Sequence, residues 1–165
     1  MRLKLWVLAV AAMGSLWSAG WAADLAVTEL RCEYAENPLG IDTAQPRLFW
    51  QVASSVRGQR QTAYRVLAAS SEKLLARERG DLWDSGNVKS DETTHIGYGG
   101  KPLKASQRVF WKVRAWDKDG KSTSWSAPAT WTMGMWGQGD WQGTWIGAAA
   151  SNAASAKGLA CCRFC

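Results

Sequence analysis

The sequence predicts an all-β fold of two antiparallel sheets packed face to face. Three observations carry that expectation. The run Phe110-Trp-Lys-Val-Arg-Ala-Trp116 alternates as a strand does and leads to Asp119-Gly120, a pair suited to a tight hairpin turn. Similar short runs recur along the chain, about seven in all, with turn residues between them. Helical spacing occurs in one short stretch only, after Ser70.

The elements follow in order. Thr28 to Tyr34 alternates and predicts a first strand. Asn37-Pro-Leu-Gly40 and Asp42 to Pro46 are rich in turn residues. Arg47 to Val52 predicts a second strand, with Leu48, Trp50 and Val52 on one face. Ser54 to Gln61 is polar and suits a hairpin loop. Thr62 to Ala69 predicts a third strand, with Tyr64, Val66 and Ala68 sharing a face. Ser70 or Ser71 then caps a short helix whose apolar side is Leu74 and Leu75, and Gly80 ends it. Leu82 to Val88 reads as a strand or an extended crossing, and His95 to Tyr98 as a short strand.

Arg108 to Asp117 is the strongest strand signal. Val109, Trp111, Val113 and Ala115 face one way; Lys112, Arg114 and Trp116 face the other. Trp125 to Met133 predicts the last strand, where Pro128 marks a bulge or an edge position. Seven short strands with one small inserted helix fit an immunoglobulin-like or fibronectin type III-like β-sandwich.

The ends have a different character. Arg2 and Lys4 precede an uncharged apolar stretch from Leu5 to Trp17, followed by small residues up to Ala22. These are the three parts of a secretory signal peptide, residues 1–22, with a mature chain from Ala23. The stretch is short for a membrane span, so the expected location is periplasmic or extracellular, with no membrane partner once the leader is cleaved. The sandwich is expected over 23–133. Residues 134–147 are rich in Gly and Trp and read as a linker opening a further element. Residues 148–165 are mostly Ala, Ser, Asn and Gly, then Cys161-Cys-Arg-Phe-Cys165.

The chain holds 20 basic and 14 acidic residues, a formal charge of +6. Removing Arg2 and Lys4 leaves 18 basic residues, scattered without the stripe that a nucleic-acid partner needs. Cys32 stands alone in a strand, and the other three cysteines crowd the last five residues, which is not a spaced disulfide framework. No zinc-like ligand spacing accompanies them or the lone His95. Neither a metal nor a cofactor is expected.

The candidate chemical constellations have plain structural readings. Glu33 with Glu36, Asp81 with Asp84, and Asp117 with Asp119 are close pairs, but each sits in or beside a turn, where Asp and its neighbours bond local backbone. Asp117 to Gly120 lacks the further oxygens and later Glu of a calcium loop. With a single His, a Ser or Cys nucleophile has little prospect of a base.

Tryptophan is the outlier. Of 12, three (Trp6, Trp17, Trp21) belong to the leader, leaving nine. Trp50, Trp111 and Trp125 fit inward positions. Trp83 and Trp116 are the candidate contact residues, together with Lys112 and Arg114 beside Trp116. Two readings stand: the rings pack against another domain, or they stack on a glycan.

Several segments together resemble the N-terminal region of bacterial α-L-rhamnosidases built on an α/α barrel. They are Leu30-Arg-Cys-Glu-Tyr34, Asn37 to Asp42, Pro46-Arg-Leu-Phe-Trp50, Gly58 to Tyr64, Leu82-Trp-Asp-Ser-Gly86 and Phe110 to Gly120, in order between Leu25 and Gly147. The resemblance implies a fibronectin-like, non-catalytic module whose partners are an adjacent β-domain and the catalytic barrel of a parent enzyme, with rhamnose-containing glycans as the parent's substrates. It implies no catalytic residue here, because the inverting acid and base belong to the barrel. Where the family continues into strands, this chain turns to Ala and Ser. A reading-frame shift near Ala148 is the expectation that accounts for this, and correcting the frame should restore a β-domain. The alternative reading is a stand-alone secreted β-sandwich that binds a glycan or a protein through exposed tryptophans.

Overall fold

The computed structural model describes residues 25–135, with Gly139 and Gly143. The predicted signal peptide and the tail, with Trp136, Trp141, Trp145 and the clustered cysteines, lie outside the described residues.

Seven strands and one helix follow in order: β1 (Leu25–Cys32), β2 (Arg47–Ser54), β3 (Ala63–Ala69), α1 (Glu72–Ala76), β4 (Trp83–Asp84), β5 (Ile96–Gly97), β6 (Arg108–Trp116) and β7 (Ala129–Thr132). They form a three-stranded sheet, β1-β2-β5, and a four-stranded sheet, β4-β3-β6-β7. Every strand pairing is antiparallel. This is the predicted β-sandwich with its one inserted helix.

The core lies between the sheets. Leu25, Val27, Leu48 and Trp50 of the first sheet meet Tyr64, Val66, Ala68, Val109, Trp111, Val113, Ala115 and Trp131 of the second. Alternation delivers these side chains, because residues two apart on a strand share a face. Trp111 and Trp131 meet edge to face at 6.1 Å, and Tyr98 adds a third ring at 5.8 Å from Trp131. Such geometry aligns the positive ring edge with the negative ring face. Trp50 is anchored by its Nε1–H, which donates to Gln61 at 3.0 Å. Cys32 is buried in the core, and burial pushes its thiol pKa up to about 12.

The helix starts as expected. Ser71 caps it, its hydroxyl accepting from the Leu74 N–H, and Leu75 is its buried residue. It ends earlier than Gly80. Glu78 takes a left-handed conformation (φ 56°), and the Arg79 N–H reaches back to Leu74 O at 2.9 Å. Gly80 serves instead to let the chain pass close to β4, since a Cβ there would strike the Trp83 carbonyl.

The predicted last strand is shorter than Trp125–Met133, and the reason is a change of period. Beyond Trp111, the partner segment runs alongside β6 with three residues for every two. Ser126 N donates to Val113 O and Thr123 N donates to Ala115 O, each at 2.8 Å. Between these points side-chain hydroxyls stand in for ladder carbonyls. Val113 N donates to Ser126 Oγ at 3.0 Å, and Ala115 N donates to Thr123 Oγ1 at 3.1 Å. Thr123, Ser126 and Ala129 are therefore buried at intervals of three. Trp125 is swung out of the core. It packs instead with Leu67, Leu75 and Phe110 on the outer face of the four-stranded sheet, which corrects its predicted inward position.

Candidate functional site

The four sequence candidates do not form one patch. On β4, Trp83 pairs with Ala68 and packs against the main core, its ring 5.4 Å from Tyr98. The register Ala63↔Trp116, Arg65↔Arg114 and Leu67↔Lys112 carries the other three along the opposite, outer face of the sheet. Alternation along β6 puts Trp116, Lys112 and Arg114 together; Trp83 belongs elsewhere.

Trp125 organises that outer face. Arg114 Cζ lies 4.4 Å and Lys112 Nζ 4.8 Å from its ring centroid, and Arg65 Cζ lies 6.0 Å away. A cation near an indole is attracted by the ring quadrupole. Two of the three cations also have carboxylate partners. Arg65 holds Asp84 through two bonds of 2.9 and 2.7 Å, and Arg114 reaches Glu78 at 3.8 Å. The Asp84 pKa is lowered, chiefly by the Arg65 bond. Lys112 is less open than Arg114 and Trp116 on the same face. It is 8% exposed, because Trp125 covers it, and burial lowers its pKa. Its side chain lines a pocket of ≈ 210 Å³ with Glu72, Leu75, Ala76, Trp125, Ser126 and Pro128.

A second cluster has no counterpart among the sequence candidates. Tyr34, Phe49 and His95 meet on the outer face of the three-stranded sheet. Tyr34 and Phe49 centroids are 4.5 Å apart, and the Tyr34 hydroxyl and His95 Nε2 are hydrogen-bonded at 2.7 Å. Arg47 lies over the Tyr34 ring and grips Glu33 with bonds of 2.6 to 3.2 Å. The Arg47 bond lowers the Glu33 pKa. Glu33, Tyr34 and His95 all have positive φ (47°, 68° and 56°), an uncommon conformation for residues with side chains. With Tyr34 and His95 separated by 61 positions, no local pattern signals the contact.

The paired carboxylates are each tied into structure. Glu36 accepts from Arg31 at 3.5 Å. Asp81 accepts from the Ser70 N–H and hydroxyl at 2.9 and 2.7 Å; these bonds outweigh burial and lower its pKa. Asp117 is buried and accepts from the Asp119 and Lys121 N–H groups, fixing the hairpin turn; Asp119 meets Lys118 at 3.1 Å. Glycoside hydrolysis needs two carboxyls facing each other across a pocket; these three pairs are engaged in turns and ion pairs instead. Among the described residues, no three His, Cys, Asp or Glu side chains are grouped to hold a metal.

The architecture defines an immunoglobulin-like sandwich domain. Residues 27–137 match the family described as Rha78A-like, N-terminal immunoglobulin domain, and the chain belongs to that family. An α-L-rhamnosidase of Streptomyces avermitilis is 48% identical over 126 residues, covering 76% of this chain and 12% of the relative. The solved structure of the Streptomyces avermitilis α-L-rhamnosidase complexed with L-rhamnose superposes with a TM-score of 0.70, at 48% identity over 76% of this chain and 12% of that one. The α-L-rhamnosidase structure from Dictyoglumus thermophilum gives 0.68, at 35% identity over 70% of this chain and 13% of that one. The chain spans about 12% of the length of the curated relatives it matches.

Proposed function

We propose that this chain is a non-catalytic domain of a secreted α-L-rhamnosidase-like glycoside hydrolase. Its role is structural: it supports an adjoining β-domain and shapes access to a catalytic barrel that hydrolyses terminal α-L-rhamnose. The observation that carries this reading is 48% identity over 126 residues to a relative of which they cover only 12%. The engagement of the three carboxylate pairs in turns and ion pairs supports it, since a glycosidase needs a proton donor and a base free to flank the bond. The outer face bearing Trp116, Arg114 and Lys112 is the proposed domain contact. Export to the periplasm or beyond is part of the proposal, and a secreted form beginning at Ala23 is its expected signature.

The test is hydrolysis of p-nitrophenyl α-L-rhamnopyranoside by the purified chain. The expected result is no release above the uncatalysed background. Turnover that tracks the folded protein through purification would overturn the reading.

A further inference from the structure

The pocket between α1 and Trp125 holds a lysine with no carboxylate partner among the described residues. Of the three cations around Trp125, Arg65 and Arg114 have carboxylate partners. Lys112 makes no ion pair or hydrogen bond among the described residues; the Trp125 ring is the partner it has. At 8% exposure it is nevertheless deeply placed, and its side chain lines the pocket. Its ammonium, unlike its stem, still reaches water, and a charged donor in a largely apolar pocket attracts an oxygen acceptor. Close by, Trp125 Nε1 and Arg114 Nε are buried donors without an acceptor. Buried polar groups are normally satisfied, so a surplus of donors at one place points to a missing acceptor.

The walls specify more. Leu75, Ala76, Pro128 and the Trp125 ring are apolar, and ≈ 210 Å³ accommodates a few methylene groups with a terminal group. Ser126 adds no free recognition, because its hydroxyl already accepts from Val113 N and donates to Ala127 O. Glu72 lines the pocket too, and Glu78 stands beside Arg114. Their charges disfavour a phosphate or any other dianion, since like charges in a poorly screened site repel. A single negative charge on a short aliphatic stem meets all of these conditions. We propose that this pocket is a carboxylate-binding site: Lys112 takes the carboxylate, and Leu75, Pro128 and the Trp125 ring hold a short aliphatic stem. The stem and acid are those of a Glu side chain or of a small free acid. The inference rests on the pocket alone and stands whether or not the parent is a rhamnosidase.

The experiment is a titration of the full 165-residue chain with sodium butyrate, read by the indole and backbone amide resonances around Trp125 and Lys112. Sodium chloride and 1-butanol are the controls. The expected result is a saturable shift with butyrate alone, half complete on the order of 10 mM. Lys112→Met should weaken it by about tenfold or more, and Lys112→Arg should retain it, because a charge-assisted bond is the main attraction. Amide spectra of both variants establish that the sandwich is intact. A blocked Ala-Glu-Ala peptide that saturates the same shifts identifies a protein side chain as the occupant; response to butyrate but not the peptide identifies a free acid. Absence of saturable shifts, an equal response to butanol, or full binding by Lys112→Met would overturn the proposal. A rhamnosidase assay has no bearing on these outcomes, so the two readings fail separately.

Discussion

Replacing Thr123 with valine removes one hydroxyl and keeps the shape of the side chain. That hydroxyl accepts from Ala115 N at 3.1 Å and donates to Ser124 O at 2.7 Å. Thr123 is 3% exposed, and Ala115 is fully buried in β6. No water can replace the lost acceptor without opening the sheet. A buried donor left unsatisfied costs about 1–3 kcal/mol, and the methyl group regains little because the site is already filled. Taking about 2 kcal/mol and a domain of about 110 residues, the melting temperature should fall by about 8 °C. Thr123→Ser retains the acceptor and should lose much less. Urea denaturation followed by tryptophan fluorescence gives the free energies, and a thermal melt checks the shift. Valine and serine variants that are equally stable would refute the claim that a hydroxyl acts as a ladder acceptor. So would a valine variant within about 0.5 kcal/mol of the parent, the ordinary scatter of neutral substitutions.

Three further outcomes are expected. Trp131→Ala, which empties a site between Trp111 and Tyr98, should cost about 3–5 kcal/mol and leave little cooperative unfolding in a domain of this size. Glu33, Asp81 and Asp84 have lowered pKa values in the fold. Their contribution is therefore present above the unfolded carboxylate range and is lost as pH falls through the folded values; Glu33→Gln with Asp84→Asn should flatten that acid limb, by about 1 kcal/mol or less for each partly exposed pair, in urea melts from about pH 6 to 3. Cys32, buried and with its thiol pushed to about 12, should resist iodoacetamide at about pH 8 in the native chain and react once unfolded, as read by mass spectrometry of the Cys32 peptide.

The central strands are legible in the sequence because alternation is a local signal. Leu48 and Trp50, Tyr64 and Val66, and Val109, Trp111, Val113 and Ala115 all lie in the core as their spacing predicts. Trp125 departs from its expected inward position because Thr123 to Ala129 advances by three residues for every two of β6, and nothing in Thr-Ser-Trp-Ser-Ala-Pro-Ala marks that change. The same change of period conceals the site: with Trp125 outside, it covers Lys112 and turns an apparently solvated lysine into a buried one. Trp83 departs for another reason. Its strand is two residues long, too short for alternation to assign a face. Tyr34 and His95 meet only through tertiary structure, and their left-handed backbone leaves no glycine behind as a clue.

The two outer faces differ in a way that bears on the proposed domain contact. On the three-stranded sheet most of the charged groups have already found one another, although Arg31 Nε is a buried donor without an acceptor. Arg31 reaches Glu29 and Glu36, Arg47 grips Glu33, Gln51 donates to Glu29, and Tyr34 lies against both Phe49 and Arg47. Covering such a face gains few new polar bonds and strips water from charges that are already paired. On the four-stranded sheet the Lys112 stem is buried while its ammonium has no carboxylate partner, so a carboxylate arriving there gains a charge-assisted bond. Trp125 and the flank of α1 add apolar surface beside it. Charge pairing, rather than the count of exposed aromatics, therefore makes the α1–Trp125 face the stronger candidate for the proposed domain contact. Tyr34, 57% exposed, is the more prominent ring but belongs to the face with less to gain.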